Sequence, residues 1–250
     1  MSRPPDSTVF KLHDLKVSCK SCSLSRLCLP HGLNEEELAR LDGMIERKTK
    51  YDRGAALYRS GEPMRAIYAI RSGSFKTFMT TPDGAEQITG FHFPGELLGI
   101  DALADEHHHC SAVALETSTV CALPVHDFEH LCATMPELHR QFRHLIGQEI
   151  NHEHELLLSL GQMRGDERLA TFLLNLSERL RARGFSHSEF NLSMPRHDLA
   201  NYLGLAVETL SRIFSRLQDE GVLKANRRNI RILDFDRLRS LAHQPTRARA

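Results

Sequence analysis

Short apolar runs separated by glycine-containing turns dominate the chain between about residues 50 and 125. Each run is long enough for one strand only, and six of them can be distinguished: 55–58, 66–71, 74–80, 87–93, 112–115 and 120–123. Many short strands at nearly regular spacing are typical of an antiparallel sandwich or roll. The pattern therefore predicts an antiparallel β-structure, with Thr81-Pro82-Asp83-Gly84 as one of its turns.

Helical spacing replaces this pattern on both sides. On the N-terminal side, Asn34 is a suitable helix N-cap, and three glutamates follow it in the first turn, where the helix dipole favours negative charge. On the C-terminal side, Pro136 suits the first position of a helix that extends to about residue 160. One face of this second helix carries an apolar stripe, interrupted by Glu153 and formed by Phe142, Ile146, Ile150, Leu157 and Leu160.

The apolar stripe has two interpretations. A long helix with a narrow apolar seam is typical of packing against the same helix of a second copy of the chain. Packing against the chain's own β-structure would need the same spacing of apolar residues. The pattern therefore leaves both arrangements open.

The region after residue 160 predicts a winged helix-turn-helix. Gly161 and Gly165 are expected to form a hinge, and an amphipathic helix follows over 166–183. In the segment 194–214, the small Ala200 allows two helices to approach closely, and Gly204 supplies a left-handed turn. Leu210 is expected to bury the second helix, and a basic hairpin tip that resembles a wing follows at Asn226-Arg227-Arg228-Asn229.

The distribution of charge favours an anionic partner for this C-terminal region. The formal net charge is +0, but residues 1–163 contain 16 Lys and Arg against 22 Asp and Glu, whereas residues 164–250 contain 16 against 10. Near the start of the second helix, Arg212 could form two hydrogen bonds to guanine, and Glu208 could accept one from cytosine. Double-stranded DNA is the expected partner, with backbone contacts from Thr209, Arg216, Arg227 and Arg228.

A cysteine triplet precedes the first helix, with C-x2-C-x5-C spacing at Cys19, Cys22 and Cys28. Three thiolates this close can bind one soft metal centre, and a tetrahedral or cubane site needs a fourth ligand. The remaining cysteines are Cys110, Cys121 and Cys132. Four thiolates suit an iron–sulfur cluster and zinc equally, so the residues themselves leave the metal open.

The N-terminus and the hydropathy pattern bear on location. No apolar run approaches the ~20 residues of a membrane helix, and residues 1–8 lack the apolar core of a signal peptide. We therefore expect a cytoplasmic protein without a membrane partner, in which cysteines stay reduced. Residues 1–18, which contain Pro4-Pro5 and lack periodicity, are expected to form a loose arm.

Taken together, these motifs resemble the FNR-type branch of the CRP/FNR regulator family. The resemblance covers nearly the whole chain and is carried by the cysteine triplet, Ile70-Arg71-Ser72-Gly73, Glu86-Gln87-Ile88-Thr89-Gly90-Phe91-His92, Leu115-Glu116-Thr117-Ser118 and Val207-Glu208-Thr209-Leu210-Ser211-Arg212. It implies an α+β fold with a cyclic-nucleotide-binding-like antiparallel β-roll, a long dimerisation helix and a C-terminal winged helix-turn-helix. The expected segments are a cysteine-rich cluster-binding segment, a sensory roll, the dimerisation helix and the DNA-binding domain, at 1–32, 33–135, 136–163 and 164–250.

The resemblance also implies a function. In the family, an oxygen-labile [4Fe–4S] cluster favours a homodimer that binds DNA, and its fourth ligand is the cysteine after Glu-Thr-Ser, here Cys121. The E-x-x-S-R pattern implies TTGAT-type palindromic sites and control of anaerobic genes, with RNA polymerase as a partner and with bases read by Glu208, Ser211 and Arg212. The dimer interface is expected at Phe142, Ile146, Ile150, Glu153 and Leu157. The alternative is a regulator of this family whose cysteines bind zinc or form a thiol–disulfide switch.

Other functions are not expected. Pro94-Gly95-Glu96-Leu97 resembles the start of a cyclic-nucleotide pocket, but Cys110-Ser111-Ala112 stands where nucleotide-binding members have Arg-Ser-Ala. Without that arginine the bidentate phosphate contact is missing, so we expect no cyclic nucleotide. We expect His107-His108-His109 to be a solvated loop, and Cys110 and Cys132 to be semi-buried without a ligand role. No Ser/His/Asp arrangement or carboxylate pair suggests catalysis, so the protein is not expected to be an enzyme.

Overall fold

A computed structural model describes residues 18–46 and 50–243 of the chain. The arm expected over 1–18 therefore lies outside the described residues except for its last position. The described chain begins with two short 3-10 turns, Cys19–Ser21 and Ser25–Leu27, and continues into helix α1 (Glu35–Met44). Asn34 caps α1 as predicted, since its side chain accepts hydrogen bonds from the backbone of Glu36 and Glu37.

Eight strands then form the predicted β-roll. In chain order they are β1 (Lys50–Tyr51), β2 (Ala56–Tyr58), β3 (Ala66–Ser72), β4 (Phe75–Thr80), β5 (Glu86–His92), β6 (Leu97–Leu98), β7 (Ser111–Ala114) and β8 (Ser118–Pro124). They form two four-stranded antiparallel sheets, ordered β1-β8-β3-β6 and β2-β7-β4-β5. All six predicted strands are confirmed; β1 and β6, of two residues each, were not predicted.

The motif Ile70-Arg71-Ser72-Gly73 contains the end of β3, and the chain turns at its last residue, where only glycine fits. Gly73 has φ +77°, and a Cβ there would lie 2.7 Å from the Cα of Ser118. The hydroxyl of Ser118 accepts a hydrogen bond from the backbone N–H of Ser74 at 3.1 Å. These contacts hold β3, β4 and β8 together at one end of the roll.

Two consecutive helices follow the roll. Helix α2 (Val125–Thr134), which was not predicted, packs Phe128 and Leu131 into the roll. Helix α3 (Pro136–Gln162) begins at Pro136 as predicted. The expected hinge differs in detail, because Gly161 lies within α3 and the chain changes direction at Met163 and Arg164.

The C-terminal region has the predicted winged helix-turn-helix. Its elements are α4 (Gly165–Ala182), β9 (Glu189–Asn191), α5 (Arg196–Tyr202), α6 (Val207–Asp219), β10 (Leu223–Asn226), β11 (Asn229–Ile232) and α7 (Phe235–Leu241). Gly204 has φ +61° between α5 and α6, and Ala200 and Leu210 are buried. The wing strands pair antiparallel, with the Asn226–Asn229 tip exposing Arg227 and Arg228.

This C-terminal region packs directly on the roll. The ring of Phe91 on β5 lies 5.0 Å from that of Tyr202 on α5 and 6.1 Å from that of Phe172 on α4. The side-chain amide of Asn201 bonds both to the backbone N–H of Ile88 at 2.7 Å and to the carbonyl of Glu86 at 2.8 Å. Within the described residues, none of the helices is apolar over the length that a membrane crossing needs.

Candidate metal centre and nucleic-acid interface

Four of the six cysteines line one small cavity. Cys19, Cys22 and Cys28 come from the N-terminal loop, and Cys121 comes from the middle of β8. The cavity, of about 40 Å³, is otherwise lined mainly by apolar side chains, among them Leu24, Leu29, Ile45, Ile67, Ile70 and Leu123. The four cysteines that the family resemblance groups as ligands therefore line the same cavity.

The pairing of β3 with β8 fixes the position of Cys121. Ala69 lies directly opposite Cys121 in the antiparallel pair. Side chains of directly opposite residues share one face of a sheet, and both of these residues line the cavity. The small Ala69 therefore leaves room on the face where the N-terminal loop packs.

Two hydrogen bonds anchor the N-terminal loop to the helices around it. The carboxylate of Asp42 on α1 accepts a hydrogen bond from the backbone N–H of Cys19 at 2.6 Å. The side-chain amide of Gln141 on α3 donates to the backbone carbonyl of Cys28 at 3.3 Å. Gln141 is buried, so the loop is attached to α3 inside the protein.

The environment of Cys28 opposes ionisation of its thiol. Burial is the main reason that the pKa of Cys28 is raised to about 12; the nearby thiols of Cys121, Cys19 and Cys22 act in the same direction, and a hydrogen bond from the backbone of Leu29 acts against it. A metal must therefore displace the proton to bind there. Four thiols in a largely apolar pocket are a donor set that fits an iron–sulfur cluster.

The two remaining cysteines lie elsewhere. The thiol of Cys110 donates to Asp101 at 3.3 Å, and Cys132 on α2 is half-buried against apolar neighbours. All six cysteines belong to the described residues, and none of them forms a disulfide. Across the described residues, the four cavity cysteines included, no three His, Cys, Asp or Glu side chains are already arranged to hold a metal ion. The four thiols therefore share one cavity but would have to move closer together to bind a metal.

The second helix of the helix-turn-helix presents an exposed polar face. The predicted base-reading residues Glu208, Ser211 and Arg212 all lie on this face of α6 and are exposed. The opposite face packs Leu210, Ile213, Phe214 and Leu217 into the core. The guanidinium of Arg212 donates to the hydroxyl of Thr209 at 3.1 Å, which steadies its side chain.

The predicted backbone-contacting arginines lie in two places, the tip of the wing and the last turn of α6. Arg227 and Arg228 are exposed at the tip of the wing, where Arg227 has φ +52°. Arg216, on the last turn of α6, donates to the carboxylate of Asp166 at 2.8 Å. A phosphate contact by Arg216 would therefore compete with this ion pair.

The predicted dimer stripe divides into two parts. Phe142 is buried in its own subunit, with its ring 4.5 Å from that of Phe128, and Ile146 packs on the same cluster. Further along α3, Ile150 is 45 % and Leu157 is 70 % exposed, and Glu153 is also exposed. Packing on the own roll therefore explains the first part of the stripe, which removes Phe142 from the expected dimer surface, while the second part stays uncovered.

A second cavity lies between the roll and α3. Its volume is about 300 Å³, and its charged lining residues are Asp101, Glu149 and Glu153, with no Lys or Arg among the described residues that line it. Cys110 lines it at the position of the missing arginine. Carboxylates would repel a phosphate.

The histidine triplet differs from the expectation of a solvated loop. His107 and His109 are exposed, but His108 is only 3 % exposed and stacks on Tyr58 with ring centroids 3.7 Å apart. Its Nδ1 lies 3.2 Å from the carboxylate of Asp101. The central histidine is thus part of the core, because its ring has both an aromatic and a hydrogen-bonding partner.

The sequence alone did not reveal the residues that attach the cysteine loop. Asp42 and Gln141 lie on helices that the spacing of apolar residues predicts. No sequence motif marks either polar residue as a contact of the cysteine loop. The one available signal was that Gln141 precedes Phe142 on the buried face of a helix. A polar residue on a buried face calls for a partner.

Comparisons with known proteins agree with this architecture. A family profile described as a Crp-like helix-turn-helix domain matches residues 167–241, and one described as a cyclic nucleotide-binding domain matches residues 48–135. Among solved structures, FixK2 from Bradyrhizobium japonicum is similar with a TM-score of 0.73 and 28% identity, over 82% of this chain and 99% of that chain.

Curated relatives match over most of the chain. The transcriptional activator protein Anr of Pseudomonas aeruginosa is 46% identical over 91% of this chain and 93% of its own length. The fumarate and nitrate reduction regulatory protein of Salmonella typhimurium is 45% identical over 90% of this chain and 90% of its own length.

Proposed function

Since the chain belongs to the CRP/FNR family of transcription regulators and is not an enzyme, we propose that it is an oxygen-responsive member of that family. In this proposal, Cys19, Cys22, Cys28 and Cys121 hold a [4Fe–4S] cluster that promotes a DNA-binding dimer. The dimer binds TTGAT-type palindromic sites and controls anaerobic genes together with RNA polymerase in the cytoplasm. The observation that carries the proposal is that these four thiols, from segments far apart in the chain, line one cavity.

The protein's own residues would hold and shield the centre. When bound, a [4Fe–4S] cluster supplies an oxygen-labile group with thiolate ligands. The apolar side chains around the thiols, such as Leu24 and Leu29, limit the access of water, and the environment of the sulfurs tunes such sites. Because Cys121 belongs to the roll and the other three thiols to the loop, simultaneous ligation would fix the loop on the roll.

The loop is in contact with the helix that is proposed to dimerise. Gln141 joins the carbonyl of Cys28 to α3, and Glu137 one turn earlier lies against Gly32. Fixing the loop would therefore also fix the first turns of α3. An effector shifts an equilibrium only through different affinities for the two states, and these contacts supply such a difference.

The second part of α3 offers the surface for dimerisation. Ile150 and Leu157 are exposed apolar residues on one helix face, and Glu153 lies between them. Burial of this face against a second copy would remove apolar surface from water, but it would also bring two carboxylates together. The balance of these two effects makes a weak dimer that a bound cofactor can strengthen.

In such a dimer, each α6 would enter a major groove. Glu208, Ser211 and Arg212 lie together on the exposed face and would contact base edges, while Thr209, Arg216, Arg227 and Arg228 would contact the backbone. Two-fold symmetry then implies a palindromic site with half-sites about one helical turn apart.

The colour and metal content of the anaerobically purified protein test this proposal. We expect a coloured protein with iron and sulfide that binds a TTGAT palindrome and loses both colour and DNA affinity in air. A colourless protein that contains zinc, or one whose DNA affinity follows only the oxidation of its thiols, would favour the alternative regulator described above.

A further inference from the structure

A single turn of the roll touches both the cysteine site and the DNA-binding domain. This turn, Pro94–Glu96, connects β5 to β6. On one side it lies against the cysteine loop, since a Cβ on Gly95 would be 3.1 Å from the Cβ of Leu27, the residue before Cys28. At φ +92° only glycine is relaxed at that position.

The same turn is fixed to the strand pair that carries the fourth cysteine. The backbone N–H of Gly95 donates to the carbonyl of Ile70 at 2.7 Å, and the N–H of Ile70 donates to the carbonyl of Glu96 at 3.0 Å. Ile70 lines the cysteine cavity and follows Ala69, the residue opposite Cys121. A shift of either part of the cysteine site would therefore reach the turn directly.

On its other side the turn is bound to α4 by two arginines. Arg179 donates to both carboxylate oxygens of Glu96, at 3.0 and 2.5 Å, and Arg183 donates to the same carboxylate at 2.5 Å. Arg183 also donates to the carbonyl of Pro94 at 2.6 Å. Arg179 reaches the carbonyl of Phe91 at 2.5 Å and lies over the ring of Phe93.

These groups are shielded from water, which distinguishes them from ordinary surface ion pairs. The side chains of Arg183, Arg179 and Glu96 are 5 %, 18 % and 22 % exposed. Exposed pairs contribute little, whereas a shielded, bidentate arginine–carboxylate contact fixes the geometry of both partners. The orientation of α4 relative to the turn is therefore fixed by these charged hydrogen bonds as well as by apolar packing.

Helix α4 passes this orientation on to the DNA-reading helix. Arg168 of α4 donates to the carbonyl of Leu203 at 2.9 Å, in the turn between α5 and α6. A Cβ on Gly165, at the start of α4, would lie 3.2 Å from the side chain of Ile213 on α6. α4 is thus in direct contact with α6 and with the turn that precedes it.

We propose that Glu96 is a positioning residue that couples the cysteine loop to the DNA-binding domain within each subunit, through its contacts with Arg179 and Arg183. This coupling rests on the proposed function and adds to it a route that does not pass through the dimer surface of α3. With the loop fixed, the turn holds α4 and the recognition helix in the DNA-binding orientation. Without it, the turn is released on the Leu27 side and this constraint is lost.

Two substitutions in the full-length protein test the coupling. Glu96→Gln removes the charge at nearly constant shape but leaves two arginines uncompensated. Arg183→Met instead keeps the balanced Glu96–Arg179 pair and so protects the fold. The matched controls are Glu155→Gln and Arg181→Met. Glu155 is a carboxylate on α3 that lines the same surface groove as Glu96, Arg179 and Arg183, and Arg181 is an exposed arginine on α4 that pairs with Glu178.

The measurement is the ratio of DNA affinities between the anaerobically loaded and the metal-free protein, on one duplex with two TTGAT-type half-sites. We expect Arg183→Met and Glu96→Gln to retain iron content and the sedimentation of the wild type while this ratio falls about fivefold or more, the lower end of typical allosteric coupling. The controls should keep the wild-type ratio. Arg183→Lys keeps the positive charge but loses the planar guanidinium with its several donors. Its affinity ratio should lie between those of the wild type and of Arg183→Met.

Several results would overturn the coupling. Equal loss of affinity in both states would show a structural role only, an unchanged ratio would show no role, and loss of the dimer would place the effect on α3. Failure of the proposed function itself is recognised separately, in the wild-type protein, by the absence of iron or of any dependence of DNA affinity on it.

Discussion

The ammonium of Lys76 on β4 lies 3.0 Å from the carboxylate of Asp198 on α5, and both side chains are largely buried, with 16 % and 8 % exposed. This ion pair joins the roll to the first helix of the helix-turn-helix. Lys76 lies directly opposite Phe91 in the β4–β5 pair, and Phe91 contacts Tyr202 of α5, so the two regions share both a charged and an apolar contact.

Removing one partner of this pair should destabilise the protein. Asp198→Ala would leave the buried charge of Lys76 uncompensated, at a cost of about 3–5 kcal/mol, whereas the double change Lys76→Met with Asp198→Leu should be close to neutral. The exposed pair Lys50–Asp52 provides the control, since Asp52→Ala should cost less than about 1 kcal/mol. Urea unfolding measures all three, and equal costs for Asp198→Ala and Asp52→Ala would contradict the prediction.

Replacing any of the four cavity cysteines with serine should abolish retention of the cofactor. We expect Cys121→Ser to lose iron and sulfide after anaerobic purification, because the loop would then have no ligand in common with the roll. Cys110→Ser and Cys132→Ser, at half-buried positions away from the cavity, are the matched controls and should keep full iron content. A Cys121→Ser protein with wild-type iron and sulfide would show that the ligand set is wrong.

Base-reading and backbone-contacting residues should respond differently to sequence and salt. Arg212→Ala should cost about 1–3 kcal/mol on the cognate site and relax specificity at one position. Arg227→Ala should weaken binding to all sequences alike and reduce the salt dependence. Titrations of cognate and scrambled duplexes at several salt concentrations separate these effects. Equal losses on both duplexes for Arg212→Ala would argue against base reading.

Glu153 should act as the element that keeps the metal-free protein monomeric. In a two-fold dimer it would approach the same residue of the second copy, and two carboxylates in a partly dry seam repel each other. Although Glu153 is exposed, the partial desolvation of its carboxyl group already raises its pKa, as does the neighbouring charge of Glu149. We expect Glu153→Ala to dimerise and bind DNA in air, and Ile150→Glu to keep the loaded protein monomeric.

Sedimentation of both variants, with and without the cofactor, measures this effect. Glu155→Ala, at an exposed position two residues further along α3, is the control and should behave like the wild type. A Glu153→Ala protein that stays wholly monomeric in air would exclude this seam.

The buried His92 should make the protein less stable in mild acid. Burial lowers its pKa to about 4, with a smaller lowering effect of Arg179, although Glu96, Glu153 and Asp101 act in the opposite direction. Between about pH 6.5 and pH 4 the unfolded chain binds a proton there that the folded chain does not. The free energy of unfolding should therefore decrease as the pH is lowered through this window, by about 1.4 kcal/mol per pH unit.

His92→Gln tests this titration because its side chain can still reach the hydroxyl of Thr77, which lies 2.9 Å from Nε2 of His92. Urea unfolding between pH 7 and pH 4 should show a smaller loss of stability for this variant than for the wild type. His107→Gln, at an exposed position, should follow the wild type. Parallel curves for His92→Gln and the wild type would refute the assignment.

The sequence was sufficient for those elements that local patterns define. Asn34 caps α1, Pro136 begins α3 and Gly204 turns between α5 and α6, because each of these depends on one residue type at one place. Strands β1 and β6 escaped prediction because two residues cannot show an alternation. Their positions are determined by pairing with β8 and β3.

Local sequence patterns could not predict the contacts between segments that are distant in the chain. Spacing alone did not show that Phe142 would meet Phe128, because the same stripe suits two different partners. The sequence likewise did not predict the roles of Gln141 and Glu96. Gln141 matters because the fold places it beside the carbonyl of Cys28, and Glu96 because the fold places it beside two arginines. The family resemblance predicted which four cysteines belong together, whereas the cavity that they line became visible only in the structure.

The division of the cysteine cavity between the loop and β8 has a consequence for biosynthesis. Cys19, Cys22 and Cys28 leave the ribosome first, whereas Cys121 takes its place only after β8 has been synthesised and has paired with β3. Non-local strand pairing of this kind is slow compared with helix formation. In the proposed function, a nascent chain therefore cannot complete the cofactor site before β8 has paired with β3, so the fourth ligand is added only once the roll has closed.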